Sequence, residues 1–264
     1  MTGKVKNFKG VCTVAHIRGN PDNKRGIRMT LRDNTDEIVW ESWLATPEVR
    51  TGLFYYVSDP GVVEPHKENG NRFHDSHDWY IKGQPSTRIT QVRKDDDMPE
   101  FLTRPIKLDE VESTDKYIQT YGVVYSAEPK VTYNTNTNKA KQDLRIIDDT
   151  GTSMPLLLLE MQNTDSFLAG DVLAMLYPDK TTIKNEPGLQ AFASKVATGI
   201  GSAREEELMK WYAQANHDAF KTSDAQQEEF GADLAAYKLT IQDKNPDEFK
   251  ELVDNYVANH PLNK

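Results

Sequence analysis

Residues 31–44 read "LRDNTDEIVWESWL", and residues 146–159 read "IIDDTGTSMPLLLL". In each, an apolar run reaches a D-[ND]-T triplet and a second apolar run leaves it. Asp33 and Asp148, like Thr35 and Thr150, are the same 115 positions apart. Asp, Asn and Gly favour the backbone geometry of tight turns, so both stretches predict a β-hairpin. Two copies of one β-module are the economical reading. At this offset Trp43 falls on Leu158.

The two tryptophans of the first copy pose a choice between core and surface. Side chains alternate across a strand, so Ile38, Trp40 and Ser42 point one way and Val39, Glu41 and Trp43 the other. A core position is served equally by tryptophan and leucine. A surface that stacks on flat ligands needs an aromatic ring. Because the second copy keeps the turn but carries leucine, Trp40 is expected in the core and Trp43 on the outside.

Working outward, strand-like runs dominate residues 5–200: "KGVCTVAHI", "RGIRMTLRD", "LFYYVSD", "YIQTYGVVYSA", "KQDLRIIDD" and "DVLAMLYP" among them. They are short, rich in Val, Ile, Tyr and Trp, and bounded by Gly, Pro, Asn and Asp, which predicts all-β units. "RKDDDMPEFLTRP" reads as a linker, and "KLDEVEST" as one short helical turn. From Ala203 the period changes to that of helices. Leu208, Trp211 and Tyr212 share one face behind an acidic first turn, and two later helical stretches open at the N-cap candidates Ser223 and Asn245.

The expected fold is mainly β: two tandem five-stranded barrels followed by a C-terminal α-helical segment. The boundaries are 1–94 for the first barrel, 95–115 for the linker with its short helix, 116–202 for the second barrel and 203–264 for the helices. Five-stranded barrels of this size, the oligonucleotide-binding (OB) fold, bind single strands across strands 2 and 3, between the loops joining strands 1–2 and 4–5.

The composition narrows the chemistry. The chain has 264 residues, 37% of them hydrophobic and 28% charged, and no apolar run long enough to span a membrane. The single Cys12 excludes an internal disulfide and a thiolate zinc site, and is expected to be a small buried apolar residue. The net charge of −9 argues against an indiscriminate polyanion binder, but its distribution is uneven. Residues 1–104 carry 16 basic and 15 acidic side chains, whereas 203–264 carry 7 and 13. Phosphate-binding loops, nucleophile elbows, HExxH and dinucleotide fingerprints are absent. "HDSHD" (74–78), "DDDM" (95–98) and "EEE" (205–207) are expected to be a solvated loop, a linker and a helix N-terminus. No catalytic residue, metal or cofactor is expected.

What remains fits single-strand binding, which needs planar side chains for bases and cations for phosphates. In the first module Arg18, Lys24, Arg25 and Arg28 gather before or on strand 2, Trp43 lies on strand 3, and Arg72 with Phe73 occupies the 4–5 loop. The second module offers Lys130, Tyr133, Lys139, Lys141 and Arg145, with Tyr177, Lys180 and Lys184 as substitutes for the missing aromatic.

The segment "MPEFLTRPIKLDEVESTDKYIQTYGVVYSAEPKVTYNTNTNKAKQDLRIIDDTG" resembles the linker, short helix and second-domain opening of the central tandem OB domains in the large subunit of replication protein A. "EEELMKWYAQ" is similar to that family's closing helix. The resemblance covers about residues 5–215. It implies that Trp43 and Phe73 are the stacking aromatics of the first domain and Lys130 a DNA-contacting lysine of the second. The family's second-domain tryptophan falls on Leu158 or Leu159, and its partner aromatic has no counterpart near Ile183. Residues 216–264 match nothing in the family.

The expected function is therefore non-enzymatic coating or protection of single-stranded DNA in replication, repair, recombination or telomere maintenance. It implies a nuclear location, or wherever the genome served resides. RNA stays open, because stacking does not distinguish the two. The acidic C-terminal helices are expected to hold a protein partner. The rival reading is an OB-fold adaptor that has largely lost nucleic-acid binding and scaffolds a complex through those helices.

Overall fold

The structure is a computed structural model. It describes residues 5–19, 25–42, 49–65, 79–115, 117–134, 139–161, 166–215, 225–242, 244 and 246–259. Trp43, Lys24, Arg72, Phe73, the 74–78 segment, Ser223 and Asn245 lie outside these residues, as do the side chains of Arg18 and Arg25. The chain divides into two compact units, residues 1–103 and 104–264.

The first unit contains β1 (Phe8–Gly19), β2 (Arg25–Arg32), β3 (Glu37–Ser42), β4 (Phe54–Ser58), β5 (Val62–Pro65), β6 (Trp79–Lys82) and β7 (Arg88–Val92). Their order in the sheet is β5-β6-β3-β2-β1-β4-β7. β4 leads directly into β5, and β6 into β7. The two ends of that order are thus halves of the same two interrupted strands, and the path closes into a five-stranded barrel. The parallel pairing of β3 with β6 is the closing seam.

The register decides which side chains enter the barrel. Met29 opposes Trp40 and Leu31 opposes Ile38. Trp40 is 1% exposed and packs with Cys12, Met29, Leu31, Val57 and Ile81. Its indole Nε1 donates to the Pro60 carbonyl at 2.9 Å, which satisfies the one polar atom it buries. The large ring requires a bare neighbour: a Cβ on Gly83 would stand 2.4 Å from Trp40 Cζ2. Trp40 is core, as its parity predicts, and Cys12 is a buried thiol whose pKa burial pushes up.

The second unit repeats the frame with β8 (Gln119–Ala127), β9 (Val131–Asn134), β10 (Lys139–Ile147), β11 (Ser153–Met161), β12 (Val172–Leu176), β13 (Asp179–Ile183), β14 (Glu186–Phe192) and β15 (Val196–Ala197). The order is β13-β14-β11-β10-β8-β12-β15, with β9 added to β10. β11 and β14 form the parallel seam.

The repeated triplet makes the same turn twice. The Thr35 amide and hydroxyl donate to Asp33 Oδ1 at 2.7 and 2.6 Å, and Thr150 makes the same two bonds to Asp148 Oδ1. The turns differ in length, because Arg32 opposes Glu37 whereas Ile147 opposes Ser153. The second turn holds one more residue, so the offset grows from 115 to 116 on the outgoing strand. Trp40 then corresponds to Leu156, each paired across the seam with a buried residue, Ile81 and Leu189. The position of Trp43 corresponds to Leu159, correcting the alignment with Leu158, which is a fully buried core residue.

The expected linker divides between the two units. Its front is tied to the first barrel: Arg32 Nη2 donates to the carbonyls of Glu100 and Phe101 at 3.0 and 2.6 Å, and Asn34 Nδ2 to that of Asp97 at 2.6 Å. Its rear closes the second barrel. The helical turn Leu108–Glu110 inserts Leu108 into the second core, and the Leu108 amide donates to Asp148 Oδ2 at 2.8 Å.

Three helices follow: α1 (Ala203–Gln214), α2 (Ala225–Thr240) and α3 (Pro246–Asn259). Ser202 caps α1 by accepting from the Glu205 amide at 3.1 Å. The buried Glu205 carboxylate accepts from the Gly201 amide at 2.8 Å, and burial raises its pKa. α2 is docked on the second barrel, and α3 packs on α2. Leu234, Ile241 and Val253 form a small core with Leu168, Phe249 and Tyr256. Lys238 Nζ pairs with Asp171 Oδ1 at 2.9 Å, and the approach is so close that a Cβ on Gly170 would meet Ala235 Cβ at 2.9 Å.

Candidate nucleic-acid interface

In the first barrel, Ile27, Met29 and Leu31 turn inward, which sends Arg28, Thr30 and Arg32 to the outer face of β2. Glu37, Val39 and Glu41 oppose them on β3. Opposed residues share a face, and the ion pairs follow: Arg28 Nε to Glu41 Oε1 at 3.3 Å and Arg32 Nη1 to Glu37 Oε1 at 3.7 Å. Arg28 is buried in this pair, so a phosphate would have to compete with Glu41 for it. On β6, Tyr80 donates its hydroxyl to Glu64 Oε2 at 2.7 Å, and Lys82 Nζ pairs with Glu64 Oε1 at 3.1 Å. Burial, with Glu64 adding to it, pushes the Tyr80 phenol up to about 12.

One aromatic escapes this web. Trp79, the first residue of β6, opposes Pro65 across the 4–5 hairpin and is 55% exposed. It directly follows the 66–78 connection that carries Arg72 and Phe73. The sequence expectation places Phe73, six residues earlier, as the stacking aromatic of this connection. The available signal was an aromatic at the point where the loop re-enters the barrel.

The second barrel builds its face from the same strands. Leu144 and Ile146 on β10, Leu156 and Leu158 on β11, and Leu189 and Ala191 on β14 fill the core. Lys139, Lys141, Asp143 and Arg145 therefore line the outside of β10, Leu157 and Leu159 that of β11, and Gln190 and Phe192 that of β14. Two of these cations are already engaged. Lys139 Nζ pairs with Glu160 at 2.5 Å, and Arg145 bonds Ser153 Oγ at 2.9 Å and Glu186 Oε2 at 2.5 Å.

The arms differ between the barrels. Ile183 opposes Glu186 across a two-residue turn in which Lys184 and Asn185 both adopt positive φ, 50° and 71°. This turn contains no aromatic residue. Instead the 1–2 arm extends as β9, which opposes Val131 to Lys141 and exposes Tyr133 by 48%. Lys130 stands at the base of that arm. Lys184 reaches back from the turn to Glu128 at the end of β8 (2.5 Å), and this contact raises the lysine pKa.

Tyr133, Lys139, Lys141 and Arg145 thus belong to one arm and the strand it extends. Tyr177 and Lys180 keep other company. Tyr177 occupies the break in the fourth barrel strand at φ 55°, edge-on to Tyr117 with centroids 5.6 Å apart, and Lys180 Nζ donates to the Glu112 carbonyl at 3.1 Å. Among the described residues no cluster of His, Cys, Asp and Glu is arranged to hold a metal.

No protein-family model matches the chain, and no curated protein matches its sequence. Among solved structures, the chain is similar to a chain of the replication protein A heterotrimer bound to ssDNA. The TM-score is 0.60 at 18% identity, over 79% of this chain and 53% of that one. Slighter likenesses are to the p204 HINb domain (TM-score 0.36, 11% identity, 72% of this chain and 94% of that one) and to the Ifi202 HINa domain in complex with 20bp dsDNA (0.34, 11%, 75% and 96%). The chain spans about half the length of the replication protein A chain it matches. Barrel closure, the parallel seams and this likeness make the fold a tandem pair of OB barrels with C-terminal helices.

Proposed function

We propose that the protein binds single-stranded nucleic acid, DNA in the first instance, without catalysing a reaction. The observation that carries this reading is an exposed aromatic at one arm of each barrel, Trp79 and Tyr133, in barrels whose outer faces carry cations. Bases stack on such rings whatever their sequence, and cations alongside meet the phosphates. Trp43, Phe73 and Arg72, with Arg18, Lys24 and Arg25, complete the first barrel's surface in this proposal. Such a protein would coat or protect single strands during replication, repair, recombination or telomere maintenance, where the genome resides.

A second reading has its own support. Arg28, Lys139 and Arg145 are all held by carboxylates, and the acidic helix α3 packs on α2, which is docked on the second barrel. That suits an adaptor that scaffolds a protein complex. Fluorescence anisotropy with labelled poly-dT at two salt concentrations separates the two. Binding that weakens steeply with salt supports the first, since each phosphate contact releases counterions. Absence of binding at low salt refutes it. The same titration with poly-rU tests RNA.

A further inference from the structure

We propose that Phe192 is the base-stacking platform of the second barrel, set one strand to the side of the position that corresponds to Trp43. This inference rests on the single-strand-binding reading and specifies how the second barrel takes part.

The register places four side chains in a row across the outer face. Val131 on β9 opposes Lys141 on β10. Lys141 sits at the bulge facing Leu159 and Glu160 on β11, and Leu159 is paired with Phe192 on β14. Leu189 and Ala191 of the same strand belong to the core, whereas Phe192 and Leu159 do not, and both remain partly exposed. The exposed Tyr133 lies at the bulge of β9, between Thr132, which opposes Ala140, and Asn134, which opposes Lys139.

Chemistry selects Phe192 within this row. Leucine at 159 offers apolar surface but no π face. The two-residue 4–5 turn offers no aromatic at all. Phe192 is the aromatic lateral to Leu159, so a base lying over both would rest on an apolar floor with one ring to stack on. Lys141 carries no ion pair among the described residues and stands beside Leu159 on the side away from Phe192, where a phosphate could meet it. The first barrel has no equivalent: the residue corresponding to Phe192 is Gln84, beyond the end of β6.

Phe192→Leu keeps the apolar volume and removes the ring. Its affinity for an oligo-dT long enough to engage both barrels, about 20 nucleotides, should fall roughly 5- to 150-fold, the range for one lost base–aromatic stack. Phe192→Tyr should bind like wild type. Adding Leu159→Trp to Phe192→Leu should restore binding, which a purely structural role of Phe192 would not allow. Thermal unfolding of each variant checks that the fold is kept.

Wild-type affinity in a folded Phe192→Leu protein overturns the proposal, as does an equal loss in Phe192→Tyr without rescue. If Trp79→Ala weakens binding while Phe192→Leu does not, only this inference falls. If the wild-type protein does not bind oligo-dT, the functional reading falls and this inference with it.

Discussion

The two barrels share a frame and differ in their arms. Both close through a parallel seam, and both turn at an Asp–Thr pair with the same side-chain hydrogen bonds. Yet in the first a long 4–5 connection in sequence precedes the exposed Trp79, while the second reduces that connection to two residues and extends the 1–2 arm with Tyr133. The frame answers to core packing, which tolerates few arrangements. The arms answer to solvent and ligand, so length and aromatic placement can change there without disturbing the barrel.

Mutations in the frame should cost stability, and those in the arms should cost binding. The largest effect is expected from Trp40→Ala, which removes a fully buried indole and its bond to Pro60. It should destabilise the first barrel by about 3–5 kcal/mol, read by chemical denaturation. An unmoved midpoint would refute the equivalence of Trp40 with the core residue Leu156. Gly170→Val should cost about 1–3 kcal/mol by pushing against Ala235 from a left-handed backbone. Faster proteolysis of α2 and α3 would report their release, and unchanged protection would show that the docking does not depend on this contact.

Smaller effects test the arms. Trp79→Ala should weaken oligo-dT binding by about 1–3 kcal/mol while leaving the denaturation midpoint in place, the reverse of Trp40→Ala. Tyr133→Ala should cost about 1 kcal/mol in the same titration. The smallest effect is expected from Glu128→Gln, which frees Lys184 and removes a negative charge. Because the pair is exposed, affinity should rise only about twofold, and less at high salt. A fall in affinity would show that Glu128 helps to order the face rather than competing for its lysine.

Much of the frame was legible because it follows from local rules. The Asp–Thr turns, the strand alternation that buries Trp40, and the amphipathic helix from Ala203 each depend on residues a few positions apart. The candidate site was less legible. Arg28 and Arg145 read as free cations, but cross-strand carboxylates from Glu41 and Glu186 hold them. The extra residue in the second turn moved the correspondence of Trp43 from Leu158 to Leu159. Phe192 drew no notice, since its row forms only when β14 lies parallel to β11.

By itself the sequence determined that this chain makes two β-modules and a helical tail, because hydrophobic period and turn chemistry are local properties. Which side chains share a face, which cations are already neutralised, and that α2 docks on the second barrel with α3 packed on it are set by tertiary contacts. Those outcomes depend on register and on contacts between residues far apart in the chain, where a shift of one position turns a core residue into a surface one.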